Sequence, residues 1–220
     1  VNEKIEQLKK QYDKNFEFHE EEGAIYEGVV KVAEELDAYM LIMGTHGHSG
    51  FEEFWIGGNA YKTVSAAPCP VITIRENFTK NSLDNIVLPI DQSSHTRQKV
   101  PFTTELARRF NARVHVTGIC TSSDDNTVFK MRQYTNQVNE FLEDHNVEVK
   151  NDMLFGKNIT EVTLEYAQKE NADLISIMTE QELSPSNLIM GAFAQQMVNH
   201  SPIPVLSLRP DPRYQGRITY

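Results

Sequence analysis

Short apolar runs alternate with segments of helical periodicity along the second half of the chain. The run NIVLPI (Asn85–Ile90) is typical of a buried strand, and apolar residues recur at helical spacing through the following segment, His95–Asn111. The same reading continues to the end with strand Arg113–Ile119, helix Thr127–His145, strand Val147–Met153, helix Ile159–Lys169, strand Asp173–Met178, helix Gly191–Asn199 and strand Pro204–Leu208. Strands that alternate with helices predict parallel βα units in a doubly wound sheet.

The first third of the chain shows a shorter version of this pattern. Its predicted elements are helix Asn2–Tyr12, strand Asn15–Glu20, helix Ala24–Leu36, strand Tyr39–Met43, helix Gly58–Ser65 and strand Pro70–Ile74. The polar segment ENFTKNSL (Glu76–Leu83) separates the two patterns and has the composition of a linker.

The two patterns are copies of one repeat. Aligning Ala38 with Ala172, an offset of 134 residues, places AYMLIMG on ADLISIM and Gly57 on Gly191. The segment APCPVITIR (Ala67–Arg75) falls on SPIPVLSLR (Ser201–Arg209), with both prolines and the terminal arginine matched. The sequence therefore predicts a first domain over residues 1–76, a linker over 77–83 and a second domain over 84–220. The first copy lacks a counterpart of roughly residues 84–135.

Composition and charge exclude several classes of partner and indicate a cellular location. The net charge of −10 argues against nucleic acid and anionic membranes as partners, because both need a concentrated basic surface. No apolar run approaches the roughly 18 residues that span a bilayer. Two cysteines, Cys69 and Cys120, form no disulfide framework or CxxC site, so we expect a cytoplasmic protein.

A glycine-rich loop follows the strand Tyr39–Met43. It reads GTHGHSGFEEFWIGGNA, with the spacing Gly44-x2-Gly47-x9-Gly57. Glycines at a strand end let backbone amides approach an anion, and the start of the next helix attracts phosphate. In an open α/β sheet, ligands bind outside the carboxyl ends of the strands. The loop is thus a candidate phosphate site.

This loop, its flanking strands and the PCPV opening of the last strand resemble the ATP-binding universal stress proteins. The resemblance covers most of both copies. It implies two doubly wound parallel-sheet repeats of the Rossmann-like, adenine-nucleotide α-hydrolase-like α/β class, the first lacking its opening β-α-β. It implies ATP as ligand, with AMP or ADP as alternatives and Mg²⁺ as a companion of the phosphates. The expected nucleotide-binding residues are Gly44, Thr45, His46, Gly47, Gly57, Gly58 and Asn59.

The sequence departs from the family pattern at several points. The family's Ser/Thr after the third glycine is Gly58 here, which removes one hydroxyl. In the family, an Asp after the first strand and residues after the second strand hold adenosine, and the first copy has neither strand. The second copy has the matching Asp91, for which a helix cap or turn is the alternative reading. Its loop has Met-Thr-Glu-Gln-Glu (residues 178–182) in place of the glycines, so we expect it to bind no nucleotide.

The resulting hypothesis is a non-catalytic nucleotide-binding protein with a regulatory role in stress. The sequence has no adenylate-chemistry signature and no Walker A lysine motif, and His46 and His48 alone do not predict a metal site. A ligand-free scaffold and a weak ATPase are the alternatives. The family's last strands mediate pairing, so the two repeats are expected to form an intramolecular pseudo-dimer, with a homodimer as a further assembly.

Overall fold

A computed structural model describes residues 2–12, 16–45, 58–76, 78–93, 95–179 and 190–210. The first repeat contains α1 (Asn2–Tyr12), α2 (Ile25–Glu35), β1 (Leu41–Gly44), α3 (Gly58–Ala66) and β2 (Val71–Ile74). The second contains β3 (Asn85–Ile90), α4 (Val100–Phe110), β4 (Arg113–Cys120), α5 (Asp125–Asp144), β5 (Val149–Phe155), α6 (Ile159–Lys169), β6 (Leu174–Met178), α7 (Ala192–His200) and β7 (Val205–Leu208).

The seven strands of the described residues belong to one sheet in the order β1-β2-β7-β6-β3-β4-β5. The second repeat contributes its five strands in a doubly wound order, with its third strand at one edge and its last strand, β7, toward the centre. The first repeat adds β2 and β1 beyond β7. All described strand pairs are parallel except the pair β2–β7. The α/β class predicted from the alternating pattern is therefore confirmed.

The two repeats meet where β2 pairs with β7 in antiparallel register. Ile72 lies opposite Leu206, while Val71 lies opposite Ser207 and Thr73 opposite Val205. Under the repeat offset of 134 residues, Ile72 and Leu206 are equivalent, and the flanking pairs exchange equivalent positions. The junction therefore has a local twofold axis through the Ile72–Leu206 pair.

Two equivalent arginines cross this junction. Arg75 follows β2 and donates a hydrogen bond to the carbonyl of Asn199, near the carboxyl end of α7. Arg209 follows β7 and donates to the carbonyls of Ala66 and Ala67, at the end of α3, at 3.3 and 3.4 Å. A guanidinium at a helix carboxyl terminus satisfies free carbonyls and interacts favourably with the helix dipole. Each repeat thus stabilises the last helix of the other.

Replacing Arg75 with Met is therefore expected to lower the free energy of unfolding by about 1.5–3 kcal/mol, the range for a hydrogen bond to a charged group. Urea denaturation followed by circular dichroism measures this change. Arg113→Met is the matched control, because it removes an exposed pair with Glu148 that should contribute at most about 1 kcal/mol. Equal losses in the two variants would show that Arg75 has no special role at the junction.

Helices cover the two faces of the sheet. On one face, α4 and α5 pack over β3 and β4 through buried residues such as Val100, Leu106 and Met131. On the other face, α3, α6 and α7 contribute a second buried cluster that includes Val64, Ala167 and Met197. The helix α2 packs outside, against α3. In the part of the chain that is described, no helix is both long and apolar enough to cross a membrane.

Two sequence predictions need correction. Residues 16–20 form no strand, and Phe16 and Phe18 are exposed. The equivalent strand of the second repeat, β5, pairs with β4, and no described strand of the first repeat corresponds to β4. A strand cannot form its ladder without a partner, so the alternating pattern was insufficient. The helix predicted from His95 begins only at Val100, because residues 95–99 form turns before it.

Candidate functional site

The carboxyl ends of β1 and β2 form the edge of the sheet to which the glycine loop is attached. Gly44 is the last residue of β1, and the buried Thr45 extends the pairing by donating its N–H to the carbonyl of Ile74 at 3.0 Å. The helix α3 connects the two parallel strands and runs back between them, so its first residues, Gly58 and Asn59, lie at the same edge.

Apolar packing fixes this β1–α3–β2 unit. Val64 of α3 and Val71 of β2 are 1% exposed and belong to one cluster, against which Leu41 and Met43 of β1 pack. The hydroxyl of Tyr61, on α3, accepts a hydrogen bond from the N–H of Met190 in the second repeat, at 3.4 Å. The start of α3 is thereby held by both its own repeat and the neighbouring one.

The start of α3 has the properties of an anion-binding helix terminus. Its first turn contains no acidic side chain. A Cβ atom added to Gly58 would meet no atom of the described residues within 4 Å, so none of these residues fills the space beside the first turn. The first N–H groups of a helix have no partner within the helix, and they bear a positive partial charge. The edge can therefore accept a phosphate group from the side of Gly58.

The structure places four of the seven predicted nucleotide-binding residues, Gly44, Thr45, Gly58 and Asn59, at this edge. The other three, His46, Gly47 and Gly57, lie outside the described residues, and their roles stay predictions. His48 also lies outside them. Among the described residues, no group of three or more His, Cys, Asp or Glu side chains has the arrangement of a metal site.

The equivalent edge of the second repeat keeps the threonine but has Met178, Ala192 and Phe193 in place of Gly44, Gly58 and Asn59. The N–H of Thr179 donates to the carbonyl of Leu208 at 2.8 Å, which repeats the Thr45–Ile74 bond of the first repeat. The position of Gly44 is taken by Met178, which is 5% exposed, and the Thr179 carbonyl accepts a hydrogen bond from the N–H of Gly191 at 2.8 Å. The backbone frame is thus preserved, while a buried side chain occupies the position where the first repeat has glycine. Residues 180–182 lie outside the described part.

The segment after β3 contains the residue that the family resemblance assigns to adenosine, Asp91. Its carboxylate Oδ1 accepts a hydrogen bond from the N–H of Ser93 at 2.8 Å, and its own N–H donates to Thr96 Oγ1 at 3.1 Å. These bonds close a turn between β3 and α4. Asp91 therefore has the turn role that the sequence left open as an alternative, and its possible contact with a ligand is untested.

A buried lysine next to this turn was not foreseen from the sequence. Lys99 is 2% exposed, and its ammonium donates to the carbonyl and to the Oγ1 atom of Thr96, the latter at 3.2 Å. Burial lowers the pKa of Lys99 to about 8, and the negative charge of Asp91 partly opposes this shift. The sequence feature that could have indicated the burial of Lys99 is its position immediately before the core residue Val100, on the helix face that continues through Thr103.

A second polar cluster lies near the amino ends of β3 and β4, at the opposite end of β3 from Asp91 and Lys99. The ring of His115 is buried between Tyr166 and Asn85, with Nδ1 and Nε2 each 3.1 Å from an oxygen of these residues. The hydroxyl of Tyr166 donates to Asp152 Oδ2 at 2.5 Å. Burial, together with the nearby charge of Lys150, lowers the pKa of His115. These residues join α6 to the amino ends of β3 and β4. Because β2 and β7 are antiparallel, this cluster lies at the same edge of the sheet as the candidate site, but the strands β2, β7 and β6 separate β3 from β1.

Comparison with known proteins agrees with both the repeat and the fold. The family model described as "Universal stress protein family" matches twice, over residues 1–75 and 82–209. No curated protein sequence matches the chain. Among solved structures, the chain is similar to a universal stress protein from Archaeoglobus fulgidus DSM 4304 (TM-score 0.77, 18% identity, covering 96% of this chain and 77% of that one).

It is also similar to a putative universal stress protein from Pseudomonas aeruginosa UCBPP-PA14, with a TM-score of 0.71 and 15% identity. That alignment covers 96% of this chain and 77% of the other. At these identities the structural likeness shows the fold alone. The two matches of the family model are what relate this chain to other sequences.

Proposed function

The chain belongs to the universal stress protein family, and from that premise we propose that it is a non-catalytic regulatory protein that binds ATP through its first repeat. The phosphates would lie against Gly44 and Thr45 at the end of β1 and against the first N–H groups of α3. AMP and ADP are the alternative ligands, and Mg²⁺ can accompany the phosphates.

The observation that carries this proposal is the start of α3, whose first turn has no acidic side chain, next to Gly44 at the end of β1. Among the described residues, nothing lies within 4 Å of a Cβ atom added at Gly58, and the first turn of α3 has no acidic side chain. A ligand with several negative charges needs such a position, because a carboxylate about 4–6 Å away would repel it by roughly 1 kcal/mol or more.

The second repeat is proposed to bind no nucleotide. Met178 brings a side chain to the position of Gly44, and Asp91 is engaged in the turn next to the buried ammonium of Lys99. Both features make this edge less suited to bind an adenine nucleotide. The second repeat would instead serve as the structural partner of the first, in an intramolecular pseudo-dimer based on the β2–β7 pairing and the crossed arginines. A homodimer is a further assembly that sedimentation can test.

The absence of catalysis is part of the proposal. The four described site residues, Gly44, Thr45, Gly58 and Asn59, have no side chain that titrates near neutral pH, so none of these four can act as a general base.

The alternatives are a weak ATPase and a ligand-free scaffold. Mass spectrometry of the purified protein separates them: a co-purified adenine nucleotide supports the proposal, and protein without nucleotide, even after incubation with excess ATP, would favour the scaffold. Release of phosphate at a steady rate would favour the ATPase.

Replacing Gly58 with Ser is expected to raise the affinity for ATP about three- to tenfold. The side chain fits in the open space beside α3, and its hydroxyl can donate one hydrogen bond to a phosphate, worth about 0.5–1.5 kcal/mol. Calorimetric titration with ATP measures the change. Gly58→Ala is the matched control, since it adds the same Cβ atom without the hydroxyl. Equal affinities of the Ser and Ala variants would contradict a phosphate at this position.

A further inference from the structure

The strand β5 lies at the edge of the sheet formed by the second repeat. It pairs in parallel with β4, and in the part of the chain that is described no strand pairs with its outer side. With seven residues, Val149–Phe155, it is long enough to pair with a further strand. A strand edge of this kind presents N–H and C=O groups to which another strand can bind.

The pairing with β4 determines which residues of β5 direct their backbone groups outward. The carbonyl of Glu148 accepts a hydrogen bond from the N–H of Val114 at 2.8 Å. At the other end, the N–H of Gly156 donates to the carbonyl of Cys120 at 3.2 Å. Because backbone groups alternate in direction along a strand, the even-numbered residues between them also face β4. The odd-numbered residues of Val149–Phe155 therefore direct their N–H and C=O groups away from the sheet.

Two opposite charges lie two positions apart on one face of this edge strand. Lys150 donates to Glu170 on α6 at 2.7 Å, and Asp152 accepts from the hydroxyl of Tyr166, also on α6, at 2.5 Å. The Lys150 and Asp152 side chains are still 40% and 38% exposed. An ammonium group has three donors and a carboxylate has several acceptor sites, so each can bind a further partner. Asn151 lies between them on the other face and is exposed.

This pattern is complementary to itself when a second copy of β5 runs antiparallel about a twofold axis at Asn151. Lys150 of each copy then lies directly opposite Asp152 of the other, and Val149 lies opposite Met153. Opposite charges in such cross-strand pairs stabilise a sheet, and like charges destabilise it. An axis at Lys150 or Asp152 would place that charge opposite its own copy. An axis at Met153 would pair no opposite charges, and one at Val149 would leave most of β5 unpaired.

We propose that β5 is a homodimer interface, at which two copies of this chain pair antiparallel about a twofold axis at Asn151. The chain already contains a junction of this kind, since β2 and β7 pair antiparallel about a local twofold axis. The partner is a second copy of this chain because the sequence of charges along β5 matches its own reverse. The pairing does not depend on nucleotide, so its failure would leave the proposed ATP site unaffected.

Sedimentation velocity of the full 220-residue chain without ATP, over a range of protein concentrations, tests whether the dimer forms. We expect a reversible dimer. Its formation should slow hydrogen exchange at the outward amides of Val149, Asn151 and Met153 at least about tenfold. The amides of Lys150 and Asp152 should change less, because they already face β4.

A cysteine at the axis tests the register. In the proposed dimer the two Asn151 Cα atoms would be about 5.5 Å apart, a distance that a disulfide spans. Mild oxidation of Asn151→Cys should therefore give a covalent dimer. The matched control is Lys157→Cys, at an exposed position beyond the end of β5, which should cross-link no more than the wild-type protein with its Cys69 and Cys120.

Charge reversal tests the pairing of Lys150 with Asp152. Lys150→Glu and Asp152→Lys should each weaken dimerisation at least about tenfold, because each places like charges opposite one another twice. An equimolar mixture of the two variants should form a heterodimer, since both cross-strand pairs are then attractive again. If either variant fails to fold, Asn151→Pro replaces this test: its N–H faces outward, so the strand should keep its pairing with β4 and lose the dimer.

A protein that stays monomeric at all concentrations would overturn the proposal. A dimer that Asn151→Pro does not weaken, or in which Asn151→Cys does not cross-link, would also overturn it, because the copies would then associate through another surface.

Discussion

Replacing Gly57 with Val is expected to lower the affinity of the full chain for ATP at least about tenfold, or about 1.4 kcal/mol. The glycine spacing places Gly57 just before the first residue of α3, where a phosphate must approach backbone N–H groups closely. A branched side chain there occupies the space that the phosphate needs. Gly47→Val is expected to have the same effect for the same reason. Isothermal titration calorimetry with ATP measures both variants.

The repeat provides the matched control. Gly191 is the counterpart of Gly57, and its φ of −58° and ψ of 153° are accessible to valine. Gly191→Val should therefore leave ATP affinity unchanged if the second repeat binds no nucleotide. Thermal unfolding of all three variants shows whether they fold. A folded Gly57→Val protein with unaltered affinity for ATP would show that the glycine loop is not part of the nucleotide site.

Replacing Lys99 with Met should raise the free energy of unfolding at pH 7 by about 1–3 kcal/mol. Burial lowers the pKa of Lys99 to about 8 in the folded protein, while the unfolded chain has a value near 10.4. Below pH 8 the lysine is charged in both states, and the folded state bears the full cost of the buried charge, about 3 kcal/mol for a difference of this size. Loss of the hydrogen bonds to Thr96 offsets part of the gain.

The pH dependence distinguishes this cause from a simple gain in packing. Between about pH 8 and pH 10.5 the folded state releases the Lys99 proton while the unfolded state retains it, so the wild-type protein should become more stable as pH rises. The advantage of Lys99→Met should therefore shrink over this interval, as measured by urea denaturation at pH 7, 9 and 10. Lys169→Met, at an exposed position of α6, is the control and should change stability by less than about 0.5 kcal/mol. A lower stability of Lys99→Met at pH 7 would contradict an uncompensated buried charge.

Most of the fold was predictable because the strands of a doubly wound sheet are short and apolar. The runs that became β3 and β6 lie near the centre of the sheet, and their burial left a continuous apolar signal in the sequence. The offset between the two copies then located β1 and β2, although each has only four residues.

The predictions that were wrong or missed have a common physical origin, because the local sequence pattern does not show which strands and helices will pack beside a segment. Residues 16–20 alternate like a strand, yet no described strand lies beside them to form a ladder. Lys99 resembles a surface lysine in sequence, and only the packing of α4 against the sheet shows that it is buried. Thr45 and Gly58 were assigned by family resemblance, whereas the open space beside Gly58 could come only from the structure.

The central claim is that the first repeat binds ATP and the second does not. Its most direct test is the stoichiometry of ATP binding to the full chain, measured by calorimetry for the wild-type protein and for Asp91→Ala. We expect one ATP per chain in both proteins, because Asp91 belongs to a turn of the second repeat and not to the occupied site. Two ATP molecules per chain, or loss of binding in Asp91→Ala, would contradict the assignment, and no binding at all would favour a ligand-free scaffold.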